Sequence, residues 1–405
     1  MDKIIPSNRN YYSIISAYCE EQMSLLFGDD IPEEAMDRLD IELGFVGCYG
    51  YGAKYYAAMK LAEKAKKDGI VLGFKGSINS SLIAFLIGLT EINPLPKELG
   101  GFGLYDEFFY GVDGDKEPWI DITVGEEHQV PLMNYLSEIY PGFHAEHGYV
   151  HDGGLAMHPA KMLIVPDDLS QYPEITLRDG TVLKKDFQSS DYDCNKLEEV
   201  FLDFNISVWT MLSEIERLRD LTGEYPGVDV RFNQRVIDKI NSKNFENLPE
   251  LSSKEFQNIF AAVGARNFDD YVRVSNLVHA TGAWENNGEK LIAEGVATLD
   301  EIITSREDVY EYLIEKGIDH KDAVLIAEFV RKGQASRIRT FGDEWAEYTR
   351  LMLEHGVPEW YIESCEKIQY LFPKSHTIGY LIHVMRLVYY SVLTISCDCP
   401  KDKIE

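Results

Sequence analysis

Apolar positions recur every three or four residues through most of the first 70 positions of the chain. YYAAMKLAEKAKK at 55–67 is the plainest case, built from good helix formers with apolar side chains at i, i+3 and i+4. Pro32-Glu33-Glu34 reads as a helix start and Asp68-Gly69 as a stop. IVLGF at 70–74 has the length and composition of a short buried strand. A small polar turn over 76–81 then leads into an apolar helical run at 82–89. Between 95 and 180 the pattern shifts to short alternating runs set among turn residues. WIDITV (119–124), KMLIV (161–165) and EVFLDF (199–204) predict strands, and 206–221 predicts a helix. Beyond 230 the pattern is helical throughout, punctuated at Gly264, Gly282, Gly317, Gly333 and Gly356. The expected partition is a helical segment at 1–70, an α/β unit at 71–230, a helical unit at 231–392 and a polar tail at 393–405.

Composition narrows the class. The chain has 405 residues, with 39 Lys+Arg against 68 Asp+Glu, a formal charge of −29. Its 45% hydrophobic and 26% charged residues are ordinary for a globular protein and exclude an acidic disordered chain. The excess of carboxylates speaks against a broad nucleic-acid-binding surface, which carries a basic footprint. The six cysteines are scattered without a C-x-x-C pair. Cys397 and Cys399, spaced C-x-C, are too few for a zinc site, and free thiols in a reducing cytoplasm are expected. The opening MDKIIPSNRNYYS has no apolar signal core, and no apolar run approaches the roughly 20 residues of a membrane span. A cytoplasmic, non-membrane protein is the expectation.

Three stretches could carry chemistry. GFKGSINSS at 73–81 offers backbone donors, hydroxyls and the Lys75 cation to a polyphosphate. It is not a Walker loop, and it serves equally well as a tight strand-to-helix turn. Asp121 in WIDITV and Asp203 in VFLDF are acids among apolar strand residues, where an unpaired charge is costly. On neighbouring strands they could hold magnesium, a hard cation that prefers oxygen ligands. Each could instead cap a turn or pair with a local lysine or arginine. The stretch VPEWYIESCEKIQYLFPKSHTIGY at 357–380 sets Lys367, Lys374 and His376 among aromatics. That pattern suits nucleotide contact and also an amphipathic helix covering its core.

VPEWYIESCEKIQYLFPKSH resembles the fingers segment of the PolC-type alpha subunit of bacterial DNA polymerase III. Other stretches follow in the family's order. GFKGSINSSLIAFLIGLTEINPLP is similar to the family's glycine-serine motif, GDKEPWIDI to the segment with two catalytic aspartates, and VFLDF to that with the third. MHPAKMLIVPDD resembles the His-Pro-Gly-Gly stretch, and IPEEAMDRLDIEL the helix that opens the polymerase core. FDDYVRVSNLVHATGAWENNGEKLI and TSREDVYEYLIEKGIDHKDAVLIAEFVRKG resemble the fingers. The match runs with gaps from about 12 to 392. It implies an α/β palm of the polymerase-beta-like nucleotidyltransferase kind followed by mainly helical fingers. By the same resemblance Asp121 and Asp203 are catalytic, magnesium-binding carboxylates. Lys75, Gly76, Ser77, Ser80, His158, Lys374 and His376 face the nucleotide. DNA and dNTPs are then the partners, with a replication protein as a further one.

The departures from that pattern have a common direction. The family's first aspartate is Trp119 here, and an indole cannot ligate magnesium. The second glycine of the glycine-serine motif is Asn79, a side chain expected where phosphate approaches. Glu366 and Gln369 stand where the family has lysines. The zinc insert is absent between Pro96 and Asp115, the palm is shortened between Gly125 and Met157, and nothing corresponds to the exonuclease, PHP, clamp-binding or OB regions. Asp113, Asp115 and Glu126 are the nearest acids that could replace the lost ligand. With −29 charges weakening any hold on DNA, two main readings stay open beside a third, residual nucleotide or metal binding without transfer. One is a degenerate polymerase core kept as a replication-related binding or regulatory module. The other is a minimal polymerase using Asp121, Asp203 and magnesium.

Overall fold

The computed structural model describes residues 3–6, 10–172, 175–183, 187–246 and 248–393, so Cys397, Cys399 and all but the first residue of the polar tail lie outside the described residues. The chain divides into two compact units, Met1–Glu214 and Ile215–Glu405.

The first unit opens with three helices, α1 (Tyr11–Phe27), α2 (Glu33–Cys48) and α3 (Gly52–Asp68). Pro32 sits at the N-cap of α2, and Glu33 and Glu34 place negative charge against the positive end of its dipole. Gly69 stops α3 in the left-handed conformation that glycine adopts without cost (φ 72°). Two short helices follow, α4 (Leu82–Leu86) and α5 (Glu107–Tyr110). Then come β1 (Asp121–Val124), α6 (Glu126–Ile139), β2 (Phe143–His151) and β3 (Leu155–Pro166). β4 (Ile175–Thr176) and β5 (Val182–Leu183) form a small separate ribbon. α7 (Cys194–Leu197), β6 (Leu202–Val208) and α8 (Thr210–Thr222) complete the order, the division between units falling within α8.

The main sheet has the order β1-β6-β3-β2, with β1 and β6 parallel and the other neighbours antiparallel. Strand alternation sorts its two faces. Ile122, Val124, Met162, Ile164, Leu202, Phe204 and Ile206 enter the main core with residues of α1 to α4 and α6. Leu163, Val165, Leu197 and Phe201 form a second, smaller core. The polar residues of β1 and β6 share that second face with Leu163 and Val165.

Several boundaries differ from the sequence expectation. The stretch 70–74 is not a strand: Gly73 makes one bridge to Thr123, its N–H donating to the Thr123 carbonyl at 2.7 Å. Glycine is required there, because a Cβ would stand 2.9 Å from the Thr123 Cβ. The helix expected over 82–89 ends at Leu86, and the first strand begins at Asp121, which leaves Trp119 outside it. β6 runs on to Val208, taking residues 206–208 from the expected helix, because LDFNISV alternates apolar and polar to its end. The β2–β3 hairpin, turned at Asp152-Gly153-Gly154, was not anticipated.

The second unit is helical: α9 (Gln234–Asn241), α10 (Lys254–Val263), α11 (Phe268–His279), α12 (Glu289–Ala293), α13 (Arg306–Glu315), α14 (His320–Arg331), α15 (Ile338–Glu354), α16 (Glu359–Lys367) and α17 (Lys374–Val392). α17 packs against α9 and α11. Between α16 and α17 the chain is extended, and Thr281 and Ser305 each bridge to it, at Tyr370 and Phe372. Gly282 and Gly333 let it pass, since a Cβ on either would fall 2.1 Å from a carbonyl oxygen of Lys367 or Gln369. The fold is thus an α/β unit followed by a helical one.

Candidate active site

The register of β1 against β6 pairs Asp121 with Asn205 and Thr123 with Ser207. β3 brings Lys161 opposite Asn205 and Leu163 opposite Asp203. Asp121, Thr123, Lys161, Asp203, Asn205 and Ser207 therefore share one face across three adjacent strands. This is the place where the two strand acids meet, but their surroundings differ sharply.

Asp121 is half-buried and accepts a hydrogen bond from the Ser207 hydroxyl at 2.7 Å, and Ser207 in turn bonds Thr123 at 2.9 Å. Burial pushes its carboxyl above the usual aspartate range, against the pull of Ser207, Lys75 and His158. Lys75 and His158, both expected at the site, thus lie within electrostatic reach of Asp121. The His158 Nδ1 accepts from the backbone N–H groups of Lys161 (2.8 Å) and Ala160 (3.2 Å), an arrangement that holds the ring neutral. Burial and the Lys161 charge lower its pKa further.

Asp203 is 6% exposed and enclosed by cations. Its Oδ1 accepts from the Lys54 ammonium at 2.9 Å, with Lys3 at 3.9 Å, and its Oδ2 accepts from Lys161 at 3.2 Å. Glu117 pairs with both Lys3 (2.7 Å) and Lys54 (2.8 Å), and Glu198 pairs with Lys161. Three acids and three lysines thus balance. Burial alone would raise the Asp203 carboxyl, but Lys54, Lys161 and Lys3 outweigh it and hold the pKa down at about 2. Of the two uses expected for a strand acid, pairing with lysines is the one seen at Asp203. Trp119, 49% exposed, covers the Lys161 ammonium with its ring centroid 4.5 Å away.

The glycine-serine stretch forms a tight turn into α4. The backbone N–H groups that open α4 are filled from within. Leu82 and Ile83 donate to the carboxylate of fully buried Glu42 at 2.7 and 3.1 Å, and Ala84 donates to the Ser81 hydroxyl. Arg38, Ser81 and Tyr110 complete the shell of Glu42. Asn79 does not intrude on a phosphate approach, contrary to expectation. It is buried, its amide donating to the Phe74 carbonyl and accepting from the Thr90 hydroxyl, so both ends of the side chain are satisfied inside the fold. Gly76 takes a positive φ of 83° at the turn, Ser77 is half-buried, and the Ser80 hydroxyl is buried without a hydrogen-bond partner.

Lys374 and His376 lie in the second unit, at the start of α17. The Lys374 ammonium donates to Glu311 at 3.0 Å, and its backbone N–H points at the buried Glu307 carboxylate. Burial pulls its pKa down, but Glu311 and Asp308 more than compensate, so it stays charged and paired. His376 sits edge-on to Phe372. Glu366 accepts from the Trp345 indole at 2.9 Å, so this acid in place of a lysine has a packing partner of its own.

Sequence reasoning missed Lys54, Lys161, Glu117 and Glu198. The signal for Lys54 was present: a lysine inside GAKYYAAM has an apolar residue on every side, and a helix so patterned has no wet face for it. The acids paired with the lysines of Asp203 are Glu117 and Glu198, not Asp113, Asp115 or Glu126.

Two families match the chain. The bacterial DNA polymerase III alpha NTPase domain covers residues 13–150, and the bacterial DNA polymerase III alpha subunit finger domain covers residues 211–351. His158, Lys161, Asp203, Lys374 and His376 lie outside both ranges. The DNA polymerase III PolC-type of Caldanaerobacter subterraneus subsp. tengcongensis is 29% identical over 462 residues, covering 92% of this chain and 32% of the relative. Those of Oceanobacillus iheyensis and Bacillus subtilis are each 26% identical, covering 92% and 91% of this chain and 32% and 31% of the relative. The chain spans about a third of the length of these relatives. The alignments run longer than its own 405 residues, so within the matched region the relatives carry residues that it lacks.

Proposed function

Because the chain belongs to the PolC-type alpha-subunit family of bacterial DNA polymerase III, we propose that it is a degenerate polymerase core with little or no template-directed synthesis, kept in the cytoplasm as a replication-related binding or regulatory module. On this reading the α/β unit is the family's palm and the helical unit its fingers. Trp119 is the observation that carries the proposal. The family resemblance puts a metal-binding aspartate at that position, and here a half-exposed indole outside β1 lies over Lys161 instead.

Magnesium is the cofactor the family implies, and the donors here do not suit it. Of the carboxylates expected to hold it, one is replaced by Trp119 and one, Asp203, is bound on both oxygens by ammonium groups. Asp121 remains, beside the buried and unpartnered Oδ1 of Asn205. One acid and one amide do not make the pair of metal sites that clamps attacking and leaving oxygens in phosphoryl transfer. On this reading Lys75, His158 and the turn residues Gly76, Ser77 and Ser80 are what is left of the palm's nucleotide-phosphate contacts, and Lys374 and His376 are carried over from the family's fingers by resemblance alone. The charge of −29 opposes a tight hold on a duplex, which rests on phosphate neutralisation.

The test is primer extension by the full chain with primed DNA, dNTPs and Mg²⁺ or Mn²⁺, alongside a low-salt mobility shift on the same primer-template. No extension is expected. Extension that Asp121→Ala abolishes would sink the proposal in favour of a minimal active polymerase, and a shift that weakens with salt would make DNA itself the bound partner.

A further inference from the structure

We propose that ammonium groups of the chain itself have taken the place of the divalent cation at Asp203, turning a position for exchangeable metal into a fixed ion-paired joint. The inference deepens the reading above and rests on it for the identity of the position.

The site is built around the lysines. Lys54 and Lys161 each have side chains only 2% exposed, so neither swings aside as a surface lysine would. Lys54 is fixed by α3, whose neighbouring residues Ala53, Tyr55, Tyr56, Ala57 and Ala58 are all buried. It reaches Glu117 at 2.8 Å as well as Asp203 at 2.9 Å. Lys161 is held by β3 between Asp203, Glu198 and the Trp119 ring. Room for its stem comes from Gly148, where a Cβ would stand 2.8 Å from the Lys161 Cγ. A cation entering beside Asp203 would meet two buried positive charges before it met a lone pair. Hard cations prefer carboxylate oxygens free of such competitors. The joint draws together the N-terminal segment through Lys3, α3 through Lys54, β3 through Lys161 and β6 through Asp203. Ile4 also bridges Phe201, two residues before that aspartate.

The probe is Mn²⁺ alone, titrated into the full chain and followed by the electron paramagnetic resonance signal of the free ion. The wild-type chain is expected to show no saturable uptake that Asp203→Asn removes. Lys54→Met with Lys161→Ala is expected to raise Mn²⁺ affinity at least about tenfold, the scale on which groups around a metal ligand tune it, with the gain lost on adding Asp203→Asn. Saturable Mn²⁺ uptake by the wild type that Asp203→Asn abolishes would overturn the inference. So would a folded double variant, checked by circular dichroism, with no gain. Should the double variant not fold, the wild type against Asp203→Asn decides alone. The readout is separate from synthesis. A chain that takes up Mn²⁺ through Asp203 yet extends no primer refutes this inference and leaves the degenerate-core reading intact. A chain that extends a primer without such uptake does the reverse.

Discussion

Asp203→Asn separates a structural acid from a ligand held ready for metal, because the two predict opposite signs. An empty metal site is a cluster of acids that repel one another, and removing a charge from it stabilises the fold. Here the carboxylate is the shared partner of two ammonium groups whose side chains are 2% exposed. Removing one member of a buried ion pair costs about 3–5 kcal/mol, since the charge left behind stays out of water. Lys54 retains Glu117 and Lys161 retains Glu198, which favours the low end, about 3 kcal/mol. In a unit of this size that lowers the melting temperature by roughly 6–12 °C. Differential scanning calorimetry of the full chain is the assay, reading whichever transition moves, because two units need not melt as one. Asp121→Asn is the companion variant. Its carboxyl is held above the usual range by burial, so neutralising it should cost less than about 1 kcal/mol. An unchanged or raised melting temperature for Asp203→Asn would refute the reasoning.

Two further outcomes test the packing. Glu328 receives Arg306 at 2.8 Å and a fork from Arg331 at 2.9 and 2.8 Å; burial opposes its charge, but the arginines hold its pKa at about 2. A depressed carboxyl stabilises above its unfolded pKa of about 4.3, and that stability drains away as pH falls towards 2. The melting-temperature gap between wild type and Glu328→Gln should therefore be full at neutral pH and close on acidification, and a gap that widens in acid would contradict the sign. Glu42→Ala should cost about 3 kcal/mol, because it leaves the Leu82 and Ile83 N–H groups without their acceptor and takes from half-buried Arg38 one of its two carboxylate partners, Asp106 being the other. Chemical denaturation measures it, and a loss below about 1 kcal/mol would show that water or Asp106 replaces the carboxylate.

What could be seen in the sequence was whatever local periodicity decides. α2 and α3 could be read from apolar spacing and from Pro32 and Gly69, and the two strand acids from LDF and IDI within apolar runs. IVLGF misled because apolar composition permits a strand but does not supply a neighbour, and Gly73 finds only one bridge. The hairpin carried its signal in Asp152-Gly153-Gly154, masked by flanking histidines that blur the alternation. Asn79 looked like an obstruction because its direction depends on Thr90, eleven residues on. The lysines around Asp203 were hidden for a stronger reason. Lys54 meets its aspartate 149 residues downstream and Lys161 meets it 42 downstream, separations at which spacing carries no information.

The balance of three acids against three lysines also constrains what mutation can reach from here. Trp119→Asp alone adds a carboxylate but leaves Asp203 engaged by Lys54 and Lys161. Losing either lysine first strands acids that were neutralised by it. A return that starts with either lysine passes through a less stable protein, so the joint works as a ratchet: a drift into it is easy to retain, and a return requires several changes at once.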